Sequence, residues 1–259
     1  MLAQVLETVL FGGIPAAVFA LLPLPGAGGP RGAAIRTGLA VAAGFVGIGW
    51  RLSGAPVLSP VQSSQWLPHT TILGAVVGSL VTAFTGGLLD AAARYAPNEG
   101  PDSGSGAGHG AESGGSFSAI RLRPAATLIA GIISGTAASF ALLFSYTAKL
   151  AQTAGGLCAA LSAILTIHLI FPRQVASWPV RFATGAPILW LVWIGWKFSE
   201  MEPPAAALVA ASVLPVVVPS FAGEIRRPLK SVIVRAGLAL VLGGAGVVFA
   251  RLAYEPFAY

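Results

Sequence analysis

Eight runs of apolar and small residues follow one another along the chain, and charged side chains fall almost entirely at their ends or between them. The runs are Val5–Leu24, Ala33–Trp50, Thr70–Ala93, Pro124–Tyr146, Leu150–Phe171, Val180–Phe198, Pro203–Phe221 and Leu229–Ala253. A helix needs about 20 such residues to cross the hydrocarbon of a bilayer. A membrane barrel would instead show alternating strands of about ten residues, so continuous runs favour helices. Only 9% of the 259 residues are charged, too few to cover the surface of a water-soluble globule. Disorder is excluded too, because it requires low hydrophobicity and high charge. The expected fold is all-α, a polytopic integral membrane helical bundle of about eight transmembrane helices.

Orientation follows from the basic residues. With eight spans and the N-terminus outside, the inner side holds eleven of the fifteen Lys and Arg. The outer side holds Arg51, Lys149, Lys197 and Arg251. Cytoplasmic loops collect Lys and Arg, so N- and C-termini are both expected on the non-cytoplasmic side. Met1–Gln4 carries no Lys or Arg, which argues for a first membrane helix and against a cleaved signal. Residues 96–119 contain GPDSGSGAGHGAESGGS and read as a flexible Gly/Ser-rich cytoplasmic linker. It separates a three-helix segment, 1–95, from a five-helix segment, 120–259, in what reads as one membrane domain. Arg51–His69, rich in Pro, Ser and Gln, reads as an interfacial loop. The expected location is the cytoplasmic (inner) membrane of a bacterium. The net charge of +6 belongs to this topology and not to nucleic-acid binding, since no basic run is longer than Arg226-Arg227.

The clearest pattern is made of small and weakly polar residues. Thr71, Gly74, Gly78, Thr82 and Thr85 share one face of the third run. Thr127, Gly131, Gly135 and Ala138 do so on the fourth, and Gln152, Gly155, Ala159, Ser162 and Thr166 on the fifth. Such faces let helices approach closely and let hydroxyls bond across a seam. They also suit a polar path for a small solute, and hydroxyls without fixed charge favour a neutral one. On the seventh run, Pro215 and Pro219 remove backbone donors inside the span, so a break is expected near Val213–Pro219. Discontinuous helices mark binding sites in many transporters.

Five charged or titratable positions stand out. Asp90 and Arg94 are spaced to pair along one helix face. His168 lies near the inner end of the fifth run, too far from His69 to share a metal, and is either an interfacial histidine or a relay member. Lys197 follows Trp190, Trp193 and Trp196, an aromatic belt or a binding face with Lys197 over Trp193. Arg235 lies about 9 Å inside the last run. It is expected to snorkel to the inner headgroups, with an anionic ligand as the alternative.

No catalytic constellation is present: there is no G-x-S-x-G, H-E-x-x-H or P-loop lysine. The lone Cys158 cannot form an intramolecular disulfide or a cysteine-based metal site. No cofactor and no metal is expected, and the pattern leans away from an enzyme. The expected function is a small transporter or permease for a neutral or weakly polar small solute. The alternative is a non-catalytic assembly subunit of a larger membrane complex. Expected partners are the lipid bilayer and other membrane subunits or further copies of the chain.

Overall fold

The computed structural model describes residues 2–21, 30–53, 113–145, 147–170, 177–218 and 228–254. Every element among them is a helix: α1 (Leu2–Leu21), α2 (Pro30–Ser53), α3 (Ser113–Phe144), α4 (Ala148–Ile170), α5 (Ser177–Phe198), α6 (Pro203–Ala211), α7 (Leu214–Val217) and α8 (Pro228–Ala253). Three stretches are long and apolar enough to cross a membrane: Ala125–Phe144 in α3, Ala148–Ile170, and Leu229–Ala253 in α8. At 1.5 Å per residue, 20 to 25 residues span about 30–38 Å. Shorter apolar helical stretches are Leu10–Leu21, Leu39–Leu52 and Pro203–Val217. The third sequence run, Thr70–Ala93, and residues 96–112 of the linker lie outside the described residues.

Two boundaries differ from the sequence expectation. Helix α3 begins at Ser113, inside the stretch read as linker. Once the apolar part of a helix has nucleated, each further residue adds a hydrogen bond at low cost, so extension into a Gly/Ser stretch is possible. The seventh run is divided as expected, but earlier, at Ser212–Val213 between α6 and α7.

Small residues set which helices touch. A Cβ placed on Gly131 would meet Thr184 and Leu161, and one on Gly135 would meet Cys158 and Ile188. As α3 advances, α5 therefore advances and α4 recedes, so α3 runs parallel to α5 and antiparallel to α4. Gly44 lies against Ala160 while Gly156 lies against Ile48, which makes α2 antiparallel to α4. Gly44 also faces Gly12 and Gly47 faces Phe11, so α1 is antiparallel to α2. Helix α8 places Gly243 on Ala137 and Arg251 over the Phe144 ring, parallel to α3. Gly243 also meets Ser212 and Gly246 meets Val209, so α6 runs against α8.

These directions collect one set of side chains at one end. Trp50, Trp190, Trp193 and Trp196 lie where α2 and α5 finish, and Arg51, Lys149, Lys197 and Arg251 lie at that same end. There Arg51 donates to the Glu7 carboxylate at 2.8 Å, and Arg251 sits 5.5 Å from the Tyr254 ring centroid. Arg36, His168, Arg181, Lys230 and Arg235 belong to the opposite end. The core between them is built from Leu128, Leu142, Leu157, Leu161, Ile188 and their neighbours. Leu229, Ile233, Val241, Val248 and Leu252 of α8 are exposed, an apolar face on a helix long enough to cross a membrane.

Candidate functional site

The site with the most organised polar chemistry is the interruption between α6 and α7. Two prolines four residues apart produce it. Pro215 has no N–H, and the residue four positions after it, Pro219, has none either. The Pro215 carbonyl therefore has no backbone donor available in an α-helical register. Around the break the amides shorten their reach: Val213 N–H donates to Ala210 and Val216 N–H to Val213. The Ser212 carbonyl is left without its usual Val216 partner. Val218 turns extended, with ψ 124°, as a residue before proline prefers.

Side chains from two other helices complete these carbonyls. Ser134 Oγ of α3 donates to the Ser212 carbonyl at 2.6 Å. Ser212 Oγ in turn donates to the Val209 carbonyl at 2.6 Å. Arg235 of α8 donates through Nη1 to the Pro215 carbonyl and, at 3.1 Å, to that of Val218. Its Nε donates to Ser231 Oγ, one turn earlier, at 3.3 Å. Arg235 is 2% exposed and Ser134 and Ser212 are fully buried. Helix C-terminal carbonyls carry partial negative charge, which favours a guanidinium there. The guanidinium is thus directed into the protein onto backbone oxygens, in place of the snorkelling expected from its depth. Buried polar groups on helices long and apolar enough to cross a membrane, as Ser134 and Arg235 are, are functional candidates by default.

The residues singled out in the sequence divide into three groups. Thr71, Gly74, Gly78, Thr82, Thr85, Asp90, Arg94 and Pro219 lie outside the described residues. Thr127, Gly131, Gly135, His168, Pro215 and Arg235 are buried. Gln152 is half-buried, and Ser162, Thr166 and Lys197 are exposed. Gly131 and Gly135 face their neighbours at close contact, with a Cβ only 2.2 Å from Thr184 Cγ2 in the first case and 2.7 Å from Cys158 Sγ in the second. On α4 the tight face is Gly156 and Ala160, one residue on from the stripe of Gly155 and Ala159. Thr166 bonds its own helix, at the Ser162 carbonyl. Lys197 Nζ lies 4.2 Å from the Trp196 centroid, and so pairs with its neighbour in sequence, not with Trp193. Trp193 stacks on Trp190 with centroids 5.1 Å apart.

Ser134, Ser212 and Ser231 were not legible as site residues. The available signal was indirect: a Ser-x-x-x-Arg spacing on the last run, and a serine three positions before Pro215. No protein-family model, no curated protein and no solved structure matches the chain.

Proposed function

We propose that the protein is a multi-pass membrane protein with eight spans and both termini outside, resident in a bacterial cytoplasmic membrane, that passes a small neutral or weakly polar solute. The directions of the helices support the span number. Helices α2 and α3 run the same way, so an odd number of crossings belongs between them, and the run Thr70–Ala93 supplies one. The four cations assigned outside gather at one end of the described bundle, and the described cations assigned inside gather at the other. The positive-inside rule then gives the sidedness.

The single observation that carries the transport reading is the α6–α7 break with Arg235 and Ser134 on its carbonyls. In this reading the carbonyls held by Arg235 and Ser134 are backbone acceptors that side chains, and not the helix itself, complete. Interrupted helices of this type line solute paths in transporters because their carbonyls can face a cavity. The close glycine seams favour a second reading, an assembly subunit whose small faces exist only for packing.

Two measurements test these statements. Single cysteines at Ser105 and Tyr259, in a Cys158→Ser background, report sidedness in right-side-out vesicles. A membrane-impermeant maleimide is expected to label position 259 and spare position 105, and the reverse pattern refutes the orientation. Stopped-flow light scattering on proteoliposomes tests transport with urea and glycerol as uncharged probes. The protein is expected to accelerate re-swelling above protein-free liposomes for at least one of them. Rates equal to protein-free liposomes favour the assembly-subunit reading.

A further inference from the structure

We propose that the α6–α7 break forms a binding site for a guanidinium ion, which the chain fills with the side chain of its own Arg235. The contacts that define it are all acceptors. The Pro215 and Val218 carbonyls both accept from Nη1, the second at 3.1 Å, and Ser231 Oγ accepts from Nε at 3.3 Å. The occupant is enclosed: Arg235 is 2% exposed, Pro215 and Ser231 are buried, and Val218 is half-buried. Two of the three acceptors lie on α7 and the residue that ends it. Pro219 withholds the N–H that an α-helical register would have offered to Pro215. The Pro215 carbonyl therefore keeps its acceptor capacity as a property of the backbone, whatever side chain stands at position 235.

The arrangement selects the class of cation. The acceptors are shared between two nitrogens of one planar group, so they do not converge on a single point. Hard metal cations need more, about six oxygens around one point for calcium or magnesium. A guanidinium presents its donors in a rigid fork, is weakly hydrated and stays charged, so it enters such a site more readily than an ammonium. Broken helices of cation-coupled transporters use freed carbonyls to hold sodium or a proton. At this break the same kind of acceptor holds a tethered ion, and the chain itself takes the place of a mobile one. Binding at this site is read without flux, so it and solute passage can fail separately.

Arg235→Ala removes Cγ, Cδ and the guanidinium group, which are the heavy atoms of ethylguanidinium. The test uses the purified full chain in neutral detergent, with thermal unfolding as the readout. Chloride salts of guanidinium and of methyl-, ethyl- and propylguanidinium are titrated to about 20 mM, far below denaturing concentrations. Arg235→Ala is expected to gain a few degrees of Tm, saturably, with half-saturation at about 1–10 mM. Each carbon up to ethyl should tighten binding about fourfold. Propylguanidinium should bind more weakly, because its last carbon meets the Cβ that the substitution leaves. Sodium, potassium and urea at the same concentrations should give no saturable rise. The native protein, whose site is filled, and Arg235→Met, whose side chain occupies the same space, should not respond. Absence of a saturable rise in Arg235→Ala overturns the proposal. So does an equal rise with sodium or potassium, a series that does not peak at ethylguanidinium, or an equal response in the native protein or Arg235→Met. Should Arg235→Ala unfold on extraction, the same compounds are present during extraction and folded yield replaces Tm. Ethylguanidinium is then expected to recover the most protein, and recovery by none of the series overturns the proposal.

Discussion

Replacing Arg235 by Met is expected to lower the unfolding free energy by about 2–5 kcal/mol, because the buried Pro215 carbonyl and the half-buried Val218 carbonyl lose their donor at once. Methionine fills much of the same volume, so the loss reports hydrogen bonding more than packing. The prediction has a sharper form. The Pro215 carbonyl needs Arg235 because residue 219 is proline and supplies no N–H. Pro219→Ala returns a backbone donor and releases Val218 from the extended preference that a following proline imposes. In the Arg235→Met background, Pro219→Ala should therefore recover at least about 1 kcal/mol, a coupling that independent sites would not show. Equilibrium unfolding of the four proteins in a mixed-micelle titration measures the cycle. Simple additivity would mean that Arg235 serves some purpose other than replacing the missing backbone donor.

The second large effect is expected at Gly12. A Cβ on this residue would stand 2.4 Å from the Gly156 carbonyl oxygen and 3.0 Å from that residue's C and Cα. Backbone atoms cannot rotate away, so α1 and α4 must move apart. Gly44 lies in the same junction, its Cβ position 2.6 Å from the Gly12 carbonyl oxygen, so the displacement would spread to α2. Overpacking of this kind costs about 1–3 kcal/mol and sometimes more. Gly244 on α8 is the control, since a Cβ there meets nothing within 4 Å. Gly244→Ala should gain up to about 1 kcal/mol from helix propensity. Opposite signs for these two Gly→Ala changes, read in one unfolding assay, are the expected result. Equal effects would show that the α1–α2–α4 junction is loose.

The long apolar runs were legible because length and continuity carry that signal by themselves. Helices α4 and α8 begin and end within two residues of the positions read from sequence. The break in the seventh run was legible from Pro215, since a missing N–H acts whatever surrounds it. Which face of α4 is buried was not. Gly155 and Gly156 lie side by side in a helix that is small or apolar all round. In a membrane-spanning helix, lipid is as apolar as the core, so periodicity no longer distinguishes inside from outside. Close contact chooses the face, and Ile48 against Gly156 is what chose it. Arg235 was misread for a related reason. Depth alone suggested snorkelling, whereas the acceptors it uses are carbonyls on another helix, freed by prolines about 20 residues earlier in the chain.

The interrupted α6–α7 segment, held by Arg235, is proposed as the working part of a solute pathway. The most direct test is urea and glycerol re-swelling of proteoliposomes carrying either the native chain or the Arg235→Met/Pro219→Ala variant. That variant gives the Pro215 carbonyl a backbone donor in place of Arg235, and unfolding in the same detergent checks that it folds. Acceleration by the native protein, and rates near protein-free liposomes for the folded variant, are the expected results. Equal acceleration by both proteins, or none by the native chain, would contradict it.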